Sequence, residues 1–201
     1  MLHFYNEELR NERECGELEF WLRRIYSGVL YHRIYRKRYP ENPYYVPAVI
    51  RLMSEILGNK QAKVFEWGSG ISTVWYAQRV ESLVAIEHNE EWYHKVTGWL
   101  QTNKLNNVEL KYIPPTNGSF QNYSQVILKY DDEFFDVVAV DGRNRVDCIR
   151  QAVNKVKVGG YLILDDSHRT KYQPAFDLLT NYEHKRYDFG LLQTTIFQRL
   201  K

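Results

Sequence analysis

A chain of 201 residues with 44% hydrophobic and 26% charged residues is long enough for one domain with a sizeable core, and its balance is that of an ordinary globular protein. A formal charge of +2 gives no general attraction to nucleic acid, and the two cysteines, Cys15 and Cys148, lie far apart without a CxxC spacing, which speaks against a disulfide scaffold or a zinc cluster. No apolar run is long enough to span a membrane, and the first residues, with Asn6, Glu7, Glu8 and Arg10, lack the apolar core of a signal peptide, so a cytoplasmic location is expected.

The first forty residues differ from the rest. Residues 7–19 carry Glu7, Glu8, Glu12, Glu14, Glu17 and Glu19, whereas residues 21–38 carry Arg23, Arg24, Arg33, Arg36, Lys37 and Arg38 and no acid. Leu22, Ile25, Tyr26, Val29, Leu30 and Ile34 recur at helical spacing, which predicts an amphipathic helix. Its basic face suits an anionic substrate, a membrane surface or RNA, but charge runs are most often solvated. The favoured reading is a helix that packs on the core or on a second subunit, as in a homodimer joined through N-terminal helices. Pro40 and Pro43 then break the chain, Tyr44 and Tyr45 follow, and a helix is expected from Ala48 to Leu57, stopped by Gly58.

From Ala62 onward strands and helices alternate. Strand 62–66 leads to helix 72–80, strand 83–87 to helix 90–103, and strand 108–113 to a polar loop. Strand 135–140 leads to helix 145–156 and strand 161–164 to helix 172–180. Such alternation implies a parallel sheet covered on both faces. Residues 183–189 and 193–198 around Gly190 read instead as an antiparallel hairpin added to that sheet. The expected division is an N-terminal helical extension or lid over 1–58 and one compact unit over 59–201.

The strand ends carry the chemistry. Glu66 closes the first strand and is followed by Trp67-Gly68-Ser69-Gly70, a turn that lets a ligand approach the main chain, and then by Ser72 and Thr73, which can cap the next helix. Glu87 closes the second strand, where an acid holds ribose hydroxyls in nucleotide-binding α/β folds. Asp141 closes the fourth strand and Asp165-Asp166 the fifth. Carboxylates from different strand ends converge at the crevice beyond the sheet. Thr73 stands where the third glycine of the dinucleotide fingerprint would fall, which speaks against an NAD(P)-binding oxidoreductase.

The ordered set resembles class I S-adenosylmethionine-dependent methyltransferases, and within them a small-molecule O-methyltransferase-like branch. Its first motif is matched by Glu66 to Ser72, its second acid by Glu87, its fourth strand by Asp136 to Gly142 and its fifth by Val158 to Asp166, with Gly159-Gly160 as the turn into that strand. The resemblance implies a seven-stranded, mostly parallel Rossmann-like sheet with an antiparallel C-terminal strand. It implies S-adenosylmethionine as cofactor, held by Glu66, Trp67, Gly68, Ser69, Gly70, Ser72, Glu87 and Asp141. Glu66 would meet the cofactor's amino group, and Ile113, Pro114 or Tyr123 would flank its adenine.

Methyl transfer from a sulfonium requires mainly an oriented, deprotonated acceptor. Two routes stay open. In one, Asp141, Asp165 and Asp166 hold Mg²⁺ or another divalent cation that activates an acceptor hydroxyl. In the other, Asp141 or His168 is the general base, with Asp166 beside them. Arg143, Arg145 and Arg169 would line the same rim and meet an anionic small-molecule acceptor or balance the acids. No Asn/Asp-Pro-Pro-aromatic motif follows the fourth strand, which ranks nucleic acid low as a substrate. A non-catalytic protein that uses the fold for binding is the remaining alternative.

Overall fold

The computed structural model describes residues 16–201. Helix α1 (Glu17–Tyr26) continues without a break as a wider π-type coil over Ser27–Tyr35 and one further turn, Arg36–Arg38. Helix α2 (Pro47–Ile56) starts on a proline, which is tolerated where the first N–H groups lack helical partners. Then follow β1 (Lys63–Trp67), α3 (Ile71–Ala77), β2 (Ser82–Glu87), α4 (Glu90–Thr102), β3 (Val108–Tyr112) and α5 (Gln121–Gln125). The chain ends with β4 (Phe135–Val140), α6 (Arg145–Ala152), β5 (Val156–Asp165), α7 (Pro174–Leu178), β6 (Tyr182–Phe189) and β7 (Leu192–Arg199).

The seven strands form one sheet in the order β3-β2-β1-β4-β5-β7-β6, and only β7 runs against its neighbours. Glu66 faces Ala85 on one side and Ala139 on the other, so β1 lies at the centre and its end is flanked by those of β2 and β4. Period-two alternation splits the core in two. Val64, Ala85, Ala139 and Ile163 pack against α2, α3 and α4 on one face, and Phe65, Ile86, Val138 and Leu162 pack against α5, α6 and α7 on the other. Val49, Ile50 and Met53 of α2 belong to the first of these clusters, so this part of the N-terminal segment shares the core of the sheet.

Three expectations change. Gly159 and Gly160 do not turn the chain into β5; they form a bulge within it, because the pairing steps from Phe135↔Val156 to Val137↔Tyr161. A Cβ on Gly160 would stand 2.7 Å from the Asp136 carbonyl oxygen, which explains the residue. The helices after β1, β4 and β5 stop earlier than the periodicity predicts, and Thr170–Tyr172 is a separate 3₁₀ turn before α7. The largest change is at α1. Along this helical run Phe20, Ser27 and Tyr31 are buried, whereas Leu22, Ile25, Tyr26, Val29, Leu30 and Ile34 are exposed, so of the two surfaces expected to cover the stripe the core is not one. The acids at positions 7–14 lie outside the described residues.

Candidate active site

The same alternation that builds the core aims the acids. Glu66, Glu87 and Asp165 share parity with Val64, Ala85 and Ile163, so all three point to the face covered by α2, α3 and α4. Trp67 has the opposite parity. Its ring is fully buried with Phe65 on the other face, and its Nε1 donates to the Tyr123 carbonyl at 2.9 Å. Trp67 is therefore a core residue rather than a wall of the cleft.

The turn after β1 is held from below. The Ser69 N–H and hydroxyl donate to Glu87 Oε2 at 3.1 and 2.9 Å, and the N–H groups of His88 and Asn89 donate to Oε1, both at 2.8 Å. Glu87 thus fixes the turn and its own loop together. Gly70 N–H donates to Thr73 Oγ1 at 2.9 Å, and Thr73 in turn donates to Glu66 Oε2 at 2.6 Å. Glu66 is fully buried, and its Oε1 has no hydrogen-bond partner among the described residues. Burial pushes its carboxyl up to about 8, against the opposing pull of the Ser72 and Thr73 hydroxyls. The hydroxyls of Tyr45 and Tyr76, also buried, stand close to each other and to Glu66.

On the far side, Arg145 ties the ends of β4 and β5. Its Nη2 donates to Asp141 Oδ1 at 2.8 Å and to the Asp141 carbonyl at 3.1 Å; its Nε donates to the Gly142 carbonyl at 3.1 Å and its Nη1 to the Asp165 carbonyl. Asp166 lies 3.9 Å from Arg145 and pairs with Arg169 at 2.8 Å. The Asp165 carboxylate accepts from Thr194 at 2.6 Å. Among the described residues no three His, Cys, Asp or Glu side chains are arranged to hold a metal ion. Arg145 and Arg169 place positive charge beside Asp141 and Asp166.

One cleft of about 810 Å³ joins the two sides. Gly68, Ser69, Gly70 and Ser72 line it together with Glu87, and Asp141 and Asp166 face them; Arg143, Arg145 and Arg169 stand on the rim as expected. Asp165, His168, Ile113, Pro114 and Tyr123 are not on its walls. His168 is buried, and Tyr123 lies behind the cleft against His88 and Phe120. His88 is the ring that reaches the wall near Glu87. Tyr44, exposed under the Arg36 guanidinium, lines the mouth, whereas Tyr45 is in the core.

Sequence reasoning missed one whole wall. Trp92, Lys95 and Trp99 of α4 line the cleft, with the Lys95 ammonium 4.3 and 5.3 Å from the two ring centroids and Trp92 Nε1 donating to the Ser69 carbonyl. Their i, i+3, i+7 spacing marks one helix face, but spacing alone does not say whether that face meets core or ligand. Lys171 and Tyr172 after β5 were missed as well.

The strand order with its reversed β7 is that of a Rossmann-like sheet closed by an antiparallel strand. No family model matches the sequence, and no curated protein matches it. Solved structures carry the likeness. An rRNA methylase from Streptococcus thermophilus matches with a TM-score of 0.62 at 14% identity, over 80% of this chain and 100% of that one. An S-adenosylmethionine-dependent O-methyltransferase from Thermotoga maritima matches at 0.61 and 13% identity, over 83% and 70%. A protein from Streptococcus mutans, solved in complex with S-adenosylhomocysteine, matches at 0.58 and 15% identity, over 75% and 97%. Among the described residues no helix is long and apolar enough to cross a membrane.

Proposed function

We propose that this protein is an S-adenosylmethionine-dependent methyltransferase that methylates oxygen on an anionic small molecule. The observation that carries this reading is the cleft that sets the Glu87-anchored turn opposite Asp141. The residues present fit the cofactor. Glu66 Oε1, buried without a donor beneath the turn, is an acceptor that suits an ammonium group, and Gly70 leaves the main chain open to close approach. The cofactor would supply a sulfonium-bound methyl group for in-line displacement.

Glu66 makes the fit measurable. Its carboxyl sits at about 8, so it is mostly protonated at pH 7 and must ionise to meet an ammonium. Binding at pH 7 is then accompanied by release of most of one proton, and affinity rises with pH toward 8. Calorimetry in buffers of different ionisation enthalpy measures the release; Glu66→Gln removes it. Equal heats in all buffers for the wild type would contradict this role.

Asp141 is the general base in this reading. Burial pushes its carboxyl up to about 6; Arg145 opposes the rise and Asp166 adds to it. A base must be ionised, so activity is expected to climb with pH through about 6 and level off above it. Asp141→Asn is expected to lower kcat by ~10²–10⁴. An unchanged acid limb in that variant would assign the base elsewhere.

Acceptor charge follows from the rim. Among the described residues Lys95, Arg143 and Lys171 line the cleft without a salt-bridge partner, whereas the acids there are all engaged. The segment before β1 serves as the lid, with Tyr44 carried to the mouth by Arg36, which donates to the carbonyls of Pro40 and Asn42. Transfer of labelled methyl groups to a panel of hydroxylated carboxylates and phosphates, with RNA alongside, tests the reading. Label in the small anions supports it; label in RNA alone overturns the acceptor class.

A further inference from the structure

The exposed side of α1 is unlike the rest of the surface. Leu18, Leu22, Ile25 and Ile34 are 75, 60, 60 and 55% exposed, and Trp21, Val29 and Leu30 extend the patch. The helix is not loose. Gly190 of the β6–β7 turn lies against Arg23 and Ser27, Tyr26 meets Phe189 with ring centroids 4.8 Å apart, and the buried Tyr31 hydroxyl donates to the Tyr45 carbonyl at 3.0 Å. A helix seated by one side thus presents an apolar stripe on the other, and such patches on a folded surface mark interaction sites.

We infer that this stripe is a homodimer interface in which α1 pairs antiparallel with α1 of a second copy. Spacing is the first argument. Leu18, Leu22 and Ile25 of α1 stand at steps of four and three, the seam of a two-helix coiled coil, with Val29 continuing the exposed stripe into the wider coil, and a seam of that kind is complementary to itself across a twofold axis. Charge is the second. Glu17 and Glu19 stand at the start of the helical run, and bases crowd its far end, beyond Arg23 and Arg24, at Arg33, Arg36, Lys37 and Arg38. Antiparallel pairing sets the acidic end of one copy beside the basic end of the other; parallel pairing would set like against like. An anionic membrane would attract the basic end and repel the acidic one, so charge favours a second copy. The sheet edge is the third. Glu183, His184, Lys185, Arg186 and Asp188 of β6 are exposed, and charges of this density guard an edge strand against pairing. The helix stripe is therefore the apolar surface left for association at this end of the molecule. Arg36, at the end of the same helical run, holds the loop that carries Tyr44 to the cleft, so the interface adjoins the lid.

Sedimentation of the full chain is expected to give a dimer, and Leu22→Glu with Ile25→Glu a monomer whose melting temperature in dilute solution, below the dimer's dissociation constant, matches that of the wild type. Cysteine crosslinking in a Cys15→Ser background reads the orientation. Ile25→Cys, near the middle of the stripe, is expected to form an intermolecular disulfide at least tenfold faster than Leu18→Cys, which lies at its end. Faster crosslinking at position 18 would overturn the antiparallel arrangement. A wild-type monomer overturns the dimer, whether the stripe is then found to bind anionic vesicles or to be covered by residues 1–15, as shown by dye binding on their removal.

Discussion

Arg145→Met is expected to destabilise the fold by about 3–5 kcal/mol, the usual cost of removing one partner from a buried ion pair. Arg145 is 8% exposed, and its guanidinium serves the carbonyls of Asp141, Gly142 and Asp165 as well as the Asp141 carboxylate. Methionine keeps much of the apolar stem and removes every donor, so three carbonyls and a partly buried carboxylate lose their partner together. Asp165 adds to the loss: burial, then the charges of Asp141 and Asp166, already push its carboxyl well above the usual range, and Arg145 opposes them. Arg145→Lys is expected to recover only part, because a single ammonium cannot reproduce the planar fork. Urea denaturation reads both variants as a fall in midpoint at constant slope. A loss below about 1 kcal/mol for the methionine variant would show that water replaces the guanidinium without penalty.

The second large effect separates two glycines that look alike in sequence. Gly68 has a φ of +95°, and a Cβ there would stand 2.7–2.8 Å from the main chain of Asp141 and Gly142. Gly68→Ala must strain the backbone and push the ends of β1 and β4 apart, at about 2–5 kcal/mol. Gly70 is different. Its φ of 176° is extended backbone, and the nearest atom to a Cβ is Trp92 Nε1 at 3.7 Å. Gly70→Val is therefore expected to keep stability within about 1 kcal/mol of wild type while its side chain enters the cleft. The expected loss of S-adenosylhomocysteine affinity is at least ~100-fold, about 2.7 kcal/mol. Unfolding curves and calorimetric titrations on the two variants should move in opposite columns: stability lost for Gly68→Ala, binding lost for Gly70→Val.

Much of this was legible in the chain. β1, β2, β4 and β5 announce themselves because they are largely apolar on both faces, β3 because it alternates, and the hairpin around Gly190 because β-branched residues flank a turn. The crevice was legible because acids close the strands. What was misread has physical causes. Glu66 and Trp67 are neighbours in a strand and face opposite sides of the sheet, and neither lines the cleft, because both lie wholly beneath the turn or in the core. Asp141 and Arg145 stand four apart, and of the two roles read for the rim arginines Arg145 takes the balancing of the acids. His168 sits beside two aspartates in sequence, but the turn after β5 buries it away from the cleft. The stripe on α1 has helical periodicity, yet periodicity reports an amphipathic helix without saying which surface covers the apolar side. Lys95, flanked by Trp92 and Trp99, became readable as a wall only once Trp92 was seen to reach over the turn to Ser69.

The central claim is that the cleft between Glu87 and Asp141 holds S-adenosylmethionine. Its most direct test is calorimetric titration of the wild-type protein with S-adenosylmethionine and, separately, with S-adenosylhomocysteine. One site per chain for each ligand, competing with each other and lost in Gly70→Val, is the predicted result. A folded wild-type protein that binds neither ligand, or that binds NAD(H) in their place, would contradict it.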